Sequence, residues 1–123
     1  MNGSSLVIDT NIVLYLFNGD RTVASLLDGR NVYISFITEI ELLGFPGITN
    51  EQKAISKEFI EDSVVIDLND AIKRMTIDLR VKYNLKIPDA IIAASALYLN
   101  LPLISADKVF EKISELQFVK YEL

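Results

Sequence analysis

Ser5-Leu6-Val7-Ile8-Asp9-Thr10-Asn11 is the stretch that sets the fold of this chain. Leu6, Val7 and Ile8 follow one another without alternation, the pattern of a strand covered on both faces, as in a parallel sheet between helices. The run stops at a carboxylate, Asp9, and passes at once into the apolar segment Ile12-Val13-Leu14-Tyr15-Leu16-Phe17. Open α/β sheets take their ligands beyond the carboxyl ends of the strands, so Asp9 stands where chemistry is done. Short polar side chains there also cap helices by accepting from the first free N–H groups, and position alone does not choose between these duties.

Downstream, strand and helix patterns alternate. Asn11 to Asn18 reads as a helix closed by Asn18-Gly19, and Asp20 can cap a second over Arg21 to Leu27, ended by Gly29. Asn31 to Ser35 reads as a strand, and Ile37 to Leu43 as a helix broken by Gly44-Phe45-Pro46-Gly47. Thr49 and Gln52 have capping-box spacing ahead of a helix reaching about Glu61, with Ile55 and Phe59 expected on its inner face. Ser63 to Leu68 reads as the third strand. Asn69 can cap the longest helix, where Ile72, Met75, Leu79 and Tyr83 recur at helical spacing while Lys73, Arg74, Arg80 and Lys82 cover much of the rest. Pro88 suits the first position of the next helix, whose body from Ala90 to Leu99 is nearly all apolar; its small residues permit close packing as the central buried helix. Leu103 to Ser105 and Phe118 to Tyr121 are the remaining strands. This alternation predicts an α/β chain: a three-layer α/β/α sandwich around a parallel sheet of four or five strands, in a single domain over residues 1–123.

Composition narrows the chemistry. The 123 residues suit one domain, and a hydrophobic content of 50% suits a folded one. Cysteine and histidine are both absent, which excludes disulfides, thiolate chemistry, the usual zinc ligands and the usual general base. Hydrolysis would then fall to carboxylates, hydroxyls, lysines and hard ions such as Mg²⁺ or Mn²⁺. Seventeen acidic residues against twelve basic ones give a formal charge of −5, which argues against a broad nucleic-acid footprint and leaves room for a local basic rim. No run approaches the roughly 18 to 20 apolar residues that span a membrane. The start Met1-Asn2-Gly3-Ser4-Ser5 lacks the basic segment of a secretory signal, so the cytoplasm is expected.

Three aspartates fall on the expected ligand edge. Asp9 closes the first strand, Asp89 lies in the first turn after Pro88, and Asp107 follows Leu103-Ile104-Ser105 by two residues. Each has a plainer alternative: Asp89 as a partner of the helix dipole, Asp107 as the cap of a short helix from Lys108 to Ile113. As a set, oxygen donors without histidine match a hard cation, and gathered like charges otherwise repel. Glu39 and Glu41 stand about 200° apart on a helix. Apolar neighbours flank both, so one glutamate is expected nearer the core than a lone charge tolerates, paired or bound to metal; the spacing does not say which.

Four segments, taken in order, resemble the PIN domains and, within them, the VapC-type toxins of bacterial and archaeal toxin–antitoxin pairs. Leu6 to Ile12 resembles the opening strand with the first catalytic aspartate, Asp9. Ile34 to Gly44 resembles the segment carrying the glutamate, and Glu41, followed by Leu-Leu-Gly, is the match, which makes Glu39 a surface residue. Ile87-Pro88-Asp89-Ala90-Ile91-Ile92-Ala93-Ala94 is the most specific segment and places Asp89 as the third acid. Leu103 to Phe110 supplies the fourth, Asp107, with Ser105 as the hydroxyl that threonine usually provides. Ala106 departs from a common asparagine and Val109 from a frequent further aspartate.

The resemblance implies metal-dependent hydrolysis of RNA, with Asp9, Glu41, Asp89 and Asp107 as catalytic residues holding one or two Mg²⁺ or Mn²⁺ ions directly or through water. Thr10, Asn11 and Ser105 would support them, and Arg80, Lys82, Lys86 and Lys108 are candidate RNA contacts. It also implies a homodimer and a small antitoxin whose tail enters the acidic groove. Two other functions fit the same residues. One is a catalytically silent interaction module using Tyr15, Leu16, Phe17, Phe45 and Phe59; the other is a metal phosphohydrolase acting on small phosphate esters.

Overall fold

In the computed structural model residues 4–122 are described; Met1-Asn2-Gly3, part of the amino-terminal reading above, and Leu123 lie outside the described residues. Five strands, β1 (Ser5–Ile8), β2 (Asn31–Ser35), β3 (Val64–Ile66), β4 (Leu103–Ser105) and β5 (Phe118–Lys120), form one sheet in the order β3-β2-β1-β4-β5. Every pairing is parallel, with Val7 opposite both Tyr33 and Leu103. Six α-helices intervene: α1 (Thr10–Phe17), α2 (Arg21–Leu27), α3 (Phe36–Leu43), α4 (Asn50–Glu61), α5 (Asp70–Tyr83) and α6 (Ile87–Leu99). A 3₁₀ helix, Lys108–Lys112, precedes β5.

Successive strand residues point to opposite faces, so the unalternating apolar runs fill two cores. Val7, Ile66 and Leu103 pack with α5, α6 and Phe110 of the 3₁₀ helix on one face. Leu6, Ile8, Ile34 and Ile104 pack with Ile12, Val13, Val23 and Leu27 of α1 and α2 on the other, with Leu42 of α3 and Phe59 of α4 beside them. This is the expected α/β/α sandwich. α6 is its buried central helix: Ala90, Ala93, Ala94 and Ala96 are wholly inaccessible, and their small size lets the helix lie close to the sheet, where it meets β2.

Most helix ends follow the sequence signals. Thr49 and Gln52 close a full capping box on α4, Asp20 accepts from Val23 N–H, and Asn69 accepts from Ile72 N–H. Asn84 and Asn100 end α5 and α6 in the left-handed conformation, at φ 54° and 55°.

Beyond shifts of one residue at several element ends, these details depart from expectation. β3 stops at Ile66, because its partner β2 ends opposite at Ser35 to start α3, and Leu68 is left exposed. β5 ends at Lys120, although Tyr121 N–H still donates to Ser105 O at 2.8 Å. Pro88 occupies the second position of α6, where its missing N–H is equally unneeded. α4 turns Ser56, Phe59 and Ile60 inward, so Ile55 faces outward and is 46% exposed. No helix among the described residues is long and apolar enough to cross a membrane.

Candidate functional site

The chain runs from β1 through β2 to β3 on one side, then returns to place β4 against the opposite side of β1. The crevice at the carboxyl ends of β1 and β4 is therefore the topological switch point of the sheet. Asp9 follows β1 directly and Asp107 follows β4 by two residues, so backbone topology alone brings them to one edge. Asp9 N–H donates to Ile104 O at 3.0 Å, extending the ladder to the carboxylate.

Asp9 is only 8% exposed. Its carboxylate accepts from Thr10 N–H at 2.9 Å, from Ser105 Oγ at 2.7 Å and from Asn11 Nδ2 at 3.3 Å. Ser105, itself wholly buried, also accepts from Asn11 Nδ2 at 3.3 Å and from Asp107 N–H at 3.0 Å. One donated and two accepted bonds use the full capacity of that hydroxyl. Asn11 completes the tie by accepting from Ala106 N–H at 3.2 Å. The loop bearing Asp107 is thus locked to β1 through two short polar side chains. Asp107 itself is exposed and caps the 3₁₀ helix, accepting from Val109 N–H at 3.0 Å.

Glu41 arrives from α3, whose start is fixed by Ser35 at the end of β2. Its Oε1 accepts from Thr10 Oγ1 at 2.5 Å, and Thr10 Oγ1 lies 3.0 Å from Thr38 Oγ1. Glu41 is exposed and Glu39 half-buried, so neither sits in the core as the apolar flanks suggested. The reason is that one side of α3 is open to water, Ile40 being 59% exposed. Glu39 is correspondingly less of a surface residue than the resemblance made it. Asp89, half-buried, enters from the first turn of α6.

Charge links the four acids. Burial pushes the Asp9 carboxyl above its ordinary acidity, with Glu41 and Asp107 adding to the rise and the bonds from Ser105 and Thr10 N–H opposing it. Asp89 is raised first by burial, then by Asp107 and Asp9, with the Lys86 ammonium opposing. Among the described residues, no three acidic side chains stand close enough as placed to share one ion.

The basic candidates separate into two pairs. Arg80 Nε donates to Leu85 O at 3.1 Å, and Lys82 lies 3.4 Å from Glu115 and over the Tyr83 ring. Both fasten the end of α5. Lys86 precedes α6 near Asp89, and Lys108 is exposed beside Asp107.

A groove of about 560 Å³ opens beside Thr10 and Glu41, walled by Leu14, Phe17, Leu42, Phe45 and Ile55. The aromatic surface expected from sequence is smaller than supposed. Tyr15, Leu16 and Phe59 pack into the core, and Phe17 meets Phe59 edge-on at 5.6 Å. Sequence reasoning also passed over Thr38, wholly buried on α3. Its spacing of three residues from Glu41, on one helix face, was the available signal.

A doubly wound parallel sheet with carboxylates gathered at its switch point defines an α/β domain with an acidic site. A model of the PIN domain matches residues 6–116, and the chain belongs to the PIN domain family. No curated protein matches it. A chain in a toxin–antitoxin complex from Klebsiella pneumoniae is 30% identical with a TM-score of 0.84, the match covering 96% of this chain and 99% of that one. VapBC-1 from nontypeable Haemophilus influenzae contains a chain 28% identical with a TM-score of 0.76, covering 94% and 97%. VapBC2 from Rickettsia felis, bound to a promoter DNA fragment, shares the fold at 21% identity and a TM-score of 0.79, covering 96% and 99%.

Proposed function

We propose that this chain is a metal-dependent ribonuclease that hydrolyses RNA phosphodiester bonds, the toxin of a toxin–antitoxin pair, working in the cytoplasm as a single domain. The observation that carries the reading is the hydrogen-bond network at the switch point, in which Ser105 and Asn11 tie the Asp9 carboxylate to the loop of Asp107 and Thr10 bonds both Asp9 and Glu41. The donor set fits Mg²⁺ or Mn²⁺: it is all oxygen, it is anionic, and burial raises the pKa of its buried member, Asp9, a rise that a nearby positive charge would oppose. Mg²⁺ is commonly held by one or two carboxylates together with water and substrate phosphate, so a closed cage of three protein acids is not required. When bound, the ion supplies Lewis acidity, lowering the pKa of water and offsetting charge on phosphate oxygens.

The protein's own part is placement. Ser105, Asn11 and Thr10 N–H fix the Asp9 carboxylate, and the same Ser105 hydroxyl fixes the backbone of Asp107. Lys86 and Lys108 offer positive charge to RNA phosphates at the rim, while Arg80 and Lys82 stay with their structural partners. The apolar groove beside Glu41 suits the apolar face of a short antitoxin segment, from which a basic side chain would reach the carboxylates. The kinship with a chain of a toxin–antitoxin complex supports that partner, and the family resemblance implies a homodimer.

The test is cleavage of a structured RNA with Mg²⁺, with Mn²⁺ and with EDTA, by the parent protein and by Asp9→Asn, with a small phosphomonoester assayed in parallel. RNA cleavage that needs the ion and Asp9 is the expected result. Full cleavage by Asp9→Asn contradicts the site; faster turnover of the phosphomonoester favours the small-ester reading; no activity and no Mn²⁺-dependent thermal stabilisation favours a silent module.

A further inference from the structure

We infer that Thr38 is a positioning residue for Glu41, acting through the hydroxyl of Thr10; the inference rests on the ribonuclease site proposed above. Thr38 is wholly buried on α3, and no buried side-chain polar atom among the described residues lacks a hydrogen-bond partner. The partner of its hydroxyl is Thr10 Oγ1, at 3.0 Å across the gap between α1 and α3. Thr10 Oγ1 has one proton and two acceptors within reach, Thr38 Oγ1 at 3.0 Å and Glu41 Oε1 at 2.5 Å. A charged acceptor makes the shorter and stronger bond, so that proton belongs to Glu41. Thr10 must then accept from Thr38, and the chain has one direction: Thr38 hydroxyl to Thr10 hydroxyl to Glu41 carboxylate.

The consequence concerns an exposed glutamate, which would otherwise sample many rotamers and lose that freedom on binding a ligand. Two of the three members, Thr38 and Glu41, are one turn apart on the same rigid helix, and the third is the first residue of α1, directly after Asp9. The chain therefore fixes Glu41 relative to Asp9. Each hydroxyl also polarises the next, which strengthens the final bond. Only Oε1 of Glu41 is committed, so the second oxygen remains available to a cation.

The experiment uses the full chain and four variants, Thr38→Val, Thr38→Ser, Thr10→Val and the double valine variant. Mn²⁺ is the probe, read by the rise in Tm on titration and by kcat and KM for RNA. Thr38→Val should keep the parent's far-UV spectrum in EDTA, need about 10-fold more Mn²⁺ for the same rise in Tm, and leave the KM for RNA unchanged. Thr38→Ser should restore most of the Mn²⁺ response, and Thr38→Val should add nothing in the Thr10→Val background, because the chain is already cut. A parent-like response in Thr38→Val, a loss in Thr38→Ser equal to that in Thr38→Val, or additive losses in the double variant each overturn the inference. If Thr38→Val does not fold, Thr10→Val cuts the same chain at its half-exposed end and must show the same rise in Mn²⁺ requirement; an unchanged requirement there overturns it. A parent protein that neither cleaves RNA nor responds to Mn²⁺ overturns the ribonuclease reading and this inference with it, whereas a responsive parent beside an unaffected Thr38→Val overturns only the latter.

Discussion

Asp9 heads α1 and Asp20 heads α2, and both accept a backbone N–H at the helix start, yet their carboxyls move in opposite directions. Asp20 reaches the third N–H of its helix, Val23, at 3.0 Å and accepts the Tyr121 hydroxyl at 2.8 Å; these bonds hold it below its ordinary acidity. Asp9 bonds only the next N–H, Thr10, and its other oxygen turns to Ser105 across the switch point. Burial first, then Glu41 and Asp107, push its carboxyl up. A cap normally serves the second or third N–H and lowers the pKa of the carboxylate that makes it. Capping therefore accounts for Asp20, whereas the Asp9 carboxylate is turned to the switch point and held there by Ser105 and Asn11.

Substitution should separate the two aspartates most sharply in activity. Asp9→Asn is expected to lower metal-dependent RNA cleavage by more than about 100-fold, beyond the range of groups that act behind a ligand. Asp20→Asn should cleave at the parental rate while melting a few degrees lower. Equal losses in both would erase the distinction. Ser105→Ala removes the 2.7 Å bond to the buried carboxylate and should cost about 10- to 100-fold in Mn²⁺ requirement, measured by titrating the cleavage rate.

The next effect lies in the pH dependence of Tm with EDTA present. For Asp9 and Asp89, with raised folded pKa values, ionisation in the native state is a penalty fully present above those values and relieved as pH falls through them. Asp20, with a lowered value, contributes stability that is present above its unfolded value of 3.8 and lost as pH falls through its folded one. Glu115, held at about 2 chiefly by the Tyr83 hydroxyl, behaves like Asp20 on the acid side of its unfolded value of 4.5. Asp9→Asn should thus melt above the parent at neutral pH and Asp20→Asn below it, both gaps narrowing in acid. Gaps of the same sign would break the comparison. The smallest effect belongs to Tyr121→Phe, which should let the Asp20 carboxyl rise in an NMR titration and leave cleavage unchanged.

The elements were legible because their signals are local. Leu6-Val7-Ile8 needs no partner to read as a doubly covered strand, and Thr49 with Gln52 announces its own cap. Asp9, Asp89 and Asp107 were legible as edge residues because strand ends and helix starts are positions along the chain. What stayed hidden depends on how helices roll against the sheet. Ile55 has the pattern of an inward residue, yet α4 buries Ser56 and leaves Ile55 on the groove wall. Glu39 and Glu41 could not be told apart because the apolar flank that implied burial includes Ile40, which faces water. Thr38 was missed because its partner, Thr10, is 28 residues away and meets it only once α1 and α3 flank the same strand ends. The strand order, which makes the β1–β4 gap a switch point, likewise appears only in the assembled sheet.

The most direct test of the acidic site as a metal centre is anomalous diffraction from a crystal of the parent protein soaked in Mn²⁺. The account predicts a peak between Asp9 and Asp89 at the carboxyl ends of β1 and β4, absent from a crystal of Asp9→Asn soaked in the same way. A parent crystal with no peak there, or with manganese only at surface acids away from the switch point, would contradict it.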